Sequence, residues 1–136
     1  MATVGGDWLE IKVNHPTLGE HVFYPKSNEG NTFDPGGIRT NDDVNQVTGD
    51  GQAIWQKNMT RGFLEVVVAN DMNTRQDWLF AKNLAASPVE ASYVASHING
   101  SIWGMSGMPV GDIAPDTNAS TFTLKIAFSG KPNKIA

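Results

Sequence analysis

The sequence predicts a mainly β fold: an antiparallel sheet closed as a barrel or folded as a sandwich, with one flanking α-helix and a long extended arm loop. Three observations carry this expectation. Segments of strand length that alternate or concentrate β-branched and aromatic residues recur along the chain (WLEIKVN, EHVFYP, RGFLEVVVAN, ASTFTLKIAF). Fourteen glycines and seven prolines in 136 residues favour strands and turns over a helical bundle. The apolar period changes to the helical one only once. With no internal repeat and no linker, residues 1–136 read as a single domain, long enough to bury a core without staples.

The elements follow in order. Residues 8–14 alternate, placing Leu9, Ile11 and Val13 on one face and Trp8, Glu10 and Lys12 on the other, as in a half-buried strand. His15-Pro16 and Gly19 mark a turn, and residues 20–25 read as the hairpin partner. Periodicity is then lost. Residues 26–60 form the arm loop, with one turn at Asp34-Pro35-Gly36-Gly37 and another at Gly49-Asp50-Gly51. An Asp-Gly pair is a hairpin signal, so residues 36–48 and 52–60 are expected to pair as a ribbon. Residues 61–70 are the clearest strand, with Leu64, Val66 and Val68 on one face and Phe63, Glu65 and Val67 on the other. A helix is expected over 73–85, capped by Asp71 or Asn73 and stopped by Pro88, with Trp78, Ala81, Leu84 and Ala85 along one side. Strands are expected near 89–97, 100–105 and 119–128. In the last, Phe122, Leu124, Ile126 and Phe128 face inward and Thr121, Thr123 and Lys125 outward. A short basic tail, GKPNKIA, ends the sequence.

Composition removes several function classes. Without cysteine there is no disulfide framework, thiol nucleophile or cysteine-based metal site. The net charge of −4, with ten scattered Lys and Arg, lacks the basic patch of a nucleic-acid binder. Residues 1–13 lack the basic and apolar regions of a signal peptide, and no apolar run is long enough to span a membrane as a helix. The sequons at Asn58, Asn99 and Asn118 read as chance.

Catalytic chemistry is not indicated, and neither a cofactor nor a metal is expected. His15, His21 and His97 form no H-x-x-x-H pair and read as exposed or hydrogen-bonded side chains. Ser106, in WGMSGMP, lacks the spacing of a nucleophile elbow and reads as part of a turn. From Asp43 the loop lacks the calcium-ligand pattern and its closing glutamate. Gly49-x-Gly51 lacks the third glycine of a dinucleotide site. Asp42 and Asp43, adjacent on an extended chain, point to opposite sides and make a poor hydrolytic pair. Trp8, Trp55, Trp78 and Trp103 read mainly as packing or interface residues. Stacking of Trp55 or Trp103 on a sugar keeps a monomeric carbohydrate-binding β-sandwich as an alternative.

The order of features, Arg39, Asn41, Asp42, then Gly49, Asp50, Gly51, then RGFLEVVVAND, then NTRQDWLFAKNLAA, and finally GMPVGDIAPDTNASTFTLKI, resembles the tail tube proteins of contractile-tailed bacteriophages. The resemblance covers about residues 7–128. It implies a β-barrel or sandwich with a flanking helix, six copies in a ring, and rings stacked head to tail into a hollow virion tube assembled in the host cytoplasm. It implies a sheath protein outside, baseplate and tail terminator proteins at the ends, and DNA passing through the lumen without specific binding. Related secretion tubes of type VI systems and baseplate tube initiators share the fold. In such an assembly the arm residues Asp34, Arg39, Asn41, Asp42, Asp43, Gly49, Asp50 and Gly51 would contact neighbouring subunits. Glu10 and Lys12 are the candidates to face the lumen. Six copies at −4 carry about −24, a charge that would keep DNA sliding rather than binding.

Overall fold

Eight strands hydrogen-bond into one antiparallel sheet, and two more pair as a separate ribbon. The computed structural model describes residues 6–27, 29–71 and 76–135. In chain order the elements are β1 (Trp8–His15), β2 (Gly19–Phe23), β3 (Thr32–Asp34), β4 (Gly37–Thr40), β5 (Lys57–Thr60), β6 (Phe63–Ala69), α1 (Asp77–Ala86), β7 (Ala91–His97), β8 (Ile102–Val110), β9 (Thr121–Phe128) and β10 (Asn133–Lys134). The sheet order is β2-β1-β7-β8-β9-β6-β3, with β10 beside β8, while β4 and β5 form the ribbon. No helix among the described residues is long and apolar enough to cross a membrane.

The expected antiparallel architecture is present, but no barrel closes. The chain after β2 returns to β6 through a single bridge, Pro25 opposite Val68. Lys26 N–H donates to the Val67 carbonyl (2.8 Å) and Ala69 N–H to the Tyr24 carbonyl (2.9 Å). Proline has no N–H with which to extend a ladder, so the two ends of the sheet touch without zipping together.

The core sits inside this curl. Ile11, Phe23, Leu64, Val66, Val68, Leu124 and Ile126 are fully buried, with Tyr93, Phe122 and Phe128 beside them. Strands β6 and β9 present the faces expected of them, except that Thr121 is buried and not exposed. Strand β1 does not. Trp8 is 6% exposed and Leu9 53%, the reverse of simple alternation. A bulge between Trp8 and Glu10 shifts the register against β7 and exchanges the two faces at the start of the strand. Trp8 then stacks on Phe33 (5.4 Å between ring centroids), and Phe33 also meets Trp103 and Phe128 edge-on. That aromatic cluster anchors β3.

Strand β8 runs on to Val110, so Ser106 lies within a strand and not in a turn. Residues 102–107 pair with β7, and residues 107–110 pair with β9. Gly107 is the handover point. A Cβ there would lie 1.9 Å from the Ala127 carbonyl oxygen, so only glycine lets the two backbones come this close. Pro109 follows where β8 no longer pairs with β7, a position at which its missing N–H costs little.

Helix α1 begins at Asp77, and residues 73–75 of the expected helix, with the candidate cap Asn73, lie outside the described residues. The N-cap position belongs to Gln76. Asn70 Oδ1 accepts from Trp78 N–H (3.2 Å), and the Asp71 carbonyl accepts from Asp77 N–H, so the chain entering the helix satisfies its first donors. Ala81 and Leu84 face the core as expected, while Ala85 is exposed. The helix is pinned by two histidines. His21 Nε2 lies 2.6 Å from Oδ1 of fully buried Asp77, and its ring stacks on Phe80. His15, 2% exposed, accepts at Nδ1 from the N–H groups of Thr17 and Leu18. Its proton therefore sits on Nε2, which faces Ser87 Oγ (2.9 Å) and the Val89 carbonyl beyond the helix.

Candidate functional site

The arm is a two-stranded ribbon. Strand β3 lies opposite β6 with Asp34 facing Phe63, and β4 lies opposite β5 with Gly37 facing Thr60. Two residues on each strand separate these pairs, so the register is preserved across the break. At the break the two chains press together. A Cβ on Gly36 would lie 2.6 Å from Gly62 N, and one on Gly62 would lie 2.5 Å from the Asp34 carbonyl oxygen. Gly36 also holds φ at 77°, a region that side chains avoid. Thus the ribbon leaves the sheet through a glycine-on-glycine crossing.

Asp34 and Arg39 brace this crossing. The Arg39 guanidinium and the Gly36 N–H both donate to Asp34 Oδ1, and Arg39 pairs with it as a salt bridge. The arginine, and secondarily the Gly36 amide, hold the Asp34 carboxyl below the usual carboxylate range, and Asp34 raises Arg39 in turn. Further out, Asn58 donates to Asn41 Oδ1 (2.9 Å), and Asn41 N–H donates to the Gln56 carbonyl. Asp43 Oδ1 accepts from Asn45 N–H and turns the chain. At the tip Thr48 and Gln52 pair around the three-residue loop Gly49-Asp50-Gly51. Gly51 takes the left-handed conformation (φ 92°), but Gly49 is not among the described glycines with positive φ. The Thr48 hydroxyl donates to Asp50 and lowers its pKa. Asp42 is exposed. The structure therefore uses Asp34, Arg39, Asn41, Asp43, Asp50 and Gly51 to shape the arm, and all of these but Asp34 also lie on its exposed surface.

The same surface carries apolar bulk. Ile38, Val44, Val47, Ile54, Trp55 and Met59 are all exposed, Val44 by 84% and Trp55 by 76%. Apart from Trp55, reading this segment for polar contacts passes over these side chains. Their signal in the sequence is apolar bulk within a stretch of turn chemistry.

At the base of the arm lies a groove of about 1090 Å³. Residues 35–38 and 59–62 form one wall, and the facing walls come from Met108, Val110, Ala127, Phe128 and residues 129–131, with Glu90 beside them. Residues so far apart in sequence carry no joint pattern, so this site is legible only in the folded chain.

Glu10 and Lys12 lie together on the outer face of the sheet, 3.6 Å apart as a salt bridge. The cross-strand registers extend that face into rows: Glu20, Asn14, Ser92 and Ser106 in one, and Val22, Lys12, Val94 and Gly104 in the next. Glu65 and Lys125 oppose one another farther along the sheet. Charged and small polar side chains share these rows with Val22 and Val94, and the charges nearly balance.

Trp103 is half-buried against Phe33, which leaves Trp55 as the exposed one of the two candidate sugar platforms. Compared with protein-family models and with curated proteins, the chain matches none.

Proposed function

We propose that this protein is a self-assembling structural subunit whose arm joins it to other copies of itself, in the manner of the tail tube proteins that its sequence resembles. The observation that supports this reading most is the arm: six exposed large apolar side chains on a well-braced ribbon that buries none of them in its own fold. Exposed apolar surface on a rigid projection is interaction surface. A long excursion of this kind within a small domain is usually functional.

In this reading the polar outer face of the sheet, with Glu10 and Lys12, lines a lumen through which DNA slides. Its lysines are matched by acids, Lys12 by Glu10 and Lys125 by Glu65, and so offer phosphates few free cationic partners. The sheath, baseplate and terminator partners follow from the resemblance. A tube initiator or a secretion tube would use the same surfaces. The protein is proposed to act without catalysis and without a cofactor.

The alternative, a monomeric carbohydrate-binding module, draws on the exposure of Trp55 alone. Negative-stain electron microscopy and size-exclusion chromatography of the purified protein separate the two. Rings or hollow tubes are expected. A monomer at high concentration whose tryptophan fluorescence changes on adding sugars would overturn the structural reading.

A further inference from the structure

The tip and the base of the arm are chemically complementary, yet one molecule cannot bring its own two together. From Asn41 to Gln56 the chain carries Asp42, Asp43 and Asp50 and no lysine or arginine. The same stretch exposes Val44, Val47, Ile54 and Trp55. The groove at the base is apolar along Met59, Met108 and Val110, and its rim carries Arg61 and Lys131 against one acid, Glu90. Methionine walls adapt to an incoming aromatic or aliphatic side chain. The groove is built partly from the base of the arm itself, and the four paired residues of β4 and β5 carry Ile54 and Trp55 about 15 Å beyond it at roughly 3.4 Å per residue. A hydrogen-bonded ribbon of that length does not fold back onto its own root.

We propose that the groove at the base of the arm is the receptor for the arm tip of a second copy, with Trp55 and Ile54 entering between Met59 and Met108 while the tip aspartates meet Arg61 and Lys131. This inference rests on the self-assembly reading and adds the acceptor site to it. Each copy then offers one tip and one groove. The contact is heterologous, head to tail, and generates a ring or an open filament rather than a closed pair. Charge at the rim sets register and association rate, and the apolar centre supplies most of the affinity.

The absence of native cysteine makes the test direct. Two single-cysteine variants are prepared, Asn45→Cys at the tip and Ser129→Cys at the groove, both at exposed positions. Mixed and oxidised, they are expected to give a disulfide joining position 45 of one copy to position 129 of another as the main product. In parallel, the double reversal Arg61→Glu with Lys131→Glu should weaken association about tenfold or more, and mixing it with Asp42→Lys/Asp43→Lys should restore the mixed pair. These are surface changes, and circular dichroism verifies that each variant is folded. Rings or filaments that form without the mixed disulfide would overturn the groove assignment and leave the self-assembly reading standing. A dominant disulfide between two Asn45→Cys tips, or a lipid retained in the groove by native mass spectrometry without any mixed disulfide, would also overturn it. A monomer at every concentration with no crosslink would overturn both readings.

Discussion

Gly107 shows how a single missing side chain can hold a fold together. Replacing it with alanine places a methyl group inside the van der Waals radius of the Ala127 carbonyl, and neither strand can move away without breaking its ladder. Gly107→Ala is expected to lower the unfolding free energy by about 3 kcal/mol in a urea titration, at the upper end for overpacking. His21 makes a second prediction. Removing it takes from the buried carboxylate of Asp77 its 2.6 Å contact. His21→Ala should therefore cost about 1–3 kcal/mol, because Asp77 keeps the Asp71 N–H but loses its closest partner. The same titration measures it, and a loss under about 1 kcal/mol would show that the pin is not structural. At the arm, Asp34 titrates below the ordinary carboxylate range because Arg39 and the Gly36 amide favour its ionised form. A depressed folded pKa means that the brace is fully present above the usual carboxylate pKa and lost as pH falls through the lowered value. Amide exchange or backbone NMR at residues 36–40 should register this acid loosening in the wild type and not in Asp34→Asn. The sequence marks Asp34 and Arg39 as arm residues but suggests outward contacts for them. Two side chains five residues apart across a tight turn are as well placed to bind one another as to bind a neighbour.

At the scale of elements, period and turn chemistry make most strands legible, and the exceptions have local causes. Alternation puts Leu9 inside and Trp8 outside in β1 because it assumes an unbroken pleat. A one-residue bulge reverses that assignment for everything before it. The exchange has a measurable consequence. Leu9→Ser should change stability by no more than about 0.5 kcal/mol. Trp8→Ala should cost about 3–5 kcal/mol, because it empties the site against Phe33. If the two substitutions cost the same, the bulge is misplaced. In β8, Gly104, Ser106, Gly107 and Pro109 spell a turn by local preference, which ends the expected strand too early. Packing against two partners overrides that preference, and the glycines serve close approach instead. The pairing of the arm is legible from Asp50-Gly51, since a glycine with positive φ at a loop end is a local requirement. Replacing residues 41–56 with Asn-Gly would close β4 onto β5 with a two-residue turn. The shortened protein is expected to retain its melting temperature within a few degrees and to remain monomeric by sedimentation velocity.

For the molecule as a whole, the antiparallel sheet, the helix and the projecting arm can be anticipated from sequence, whereas the curl without closure and the basal groove cannot. Both depend on segments separated by dozens of residues, such as Tyr24 and Lys26 against Val67 and Ala69. The glycine crossing has a consequence at this largest scale. Its register is preserved and its two chains touch backbone to backbone, so slippage is prevented, while rotation about the ribbon axis is opposed by the Asp34–Arg39 brace. Such a joint is stiff to tension, and its resistance to torsion rests on that ion pair. Where identical joints repeat from copy to copy, a static offset of the crossing adds with the same sign at every step and becomes helical pitch. Thermal torsion adds at random and becomes curvature. The straightness of an assembly built this way would be governed by the angular variance at Gly36 and Gly62 and not by the strength with which each arm is held.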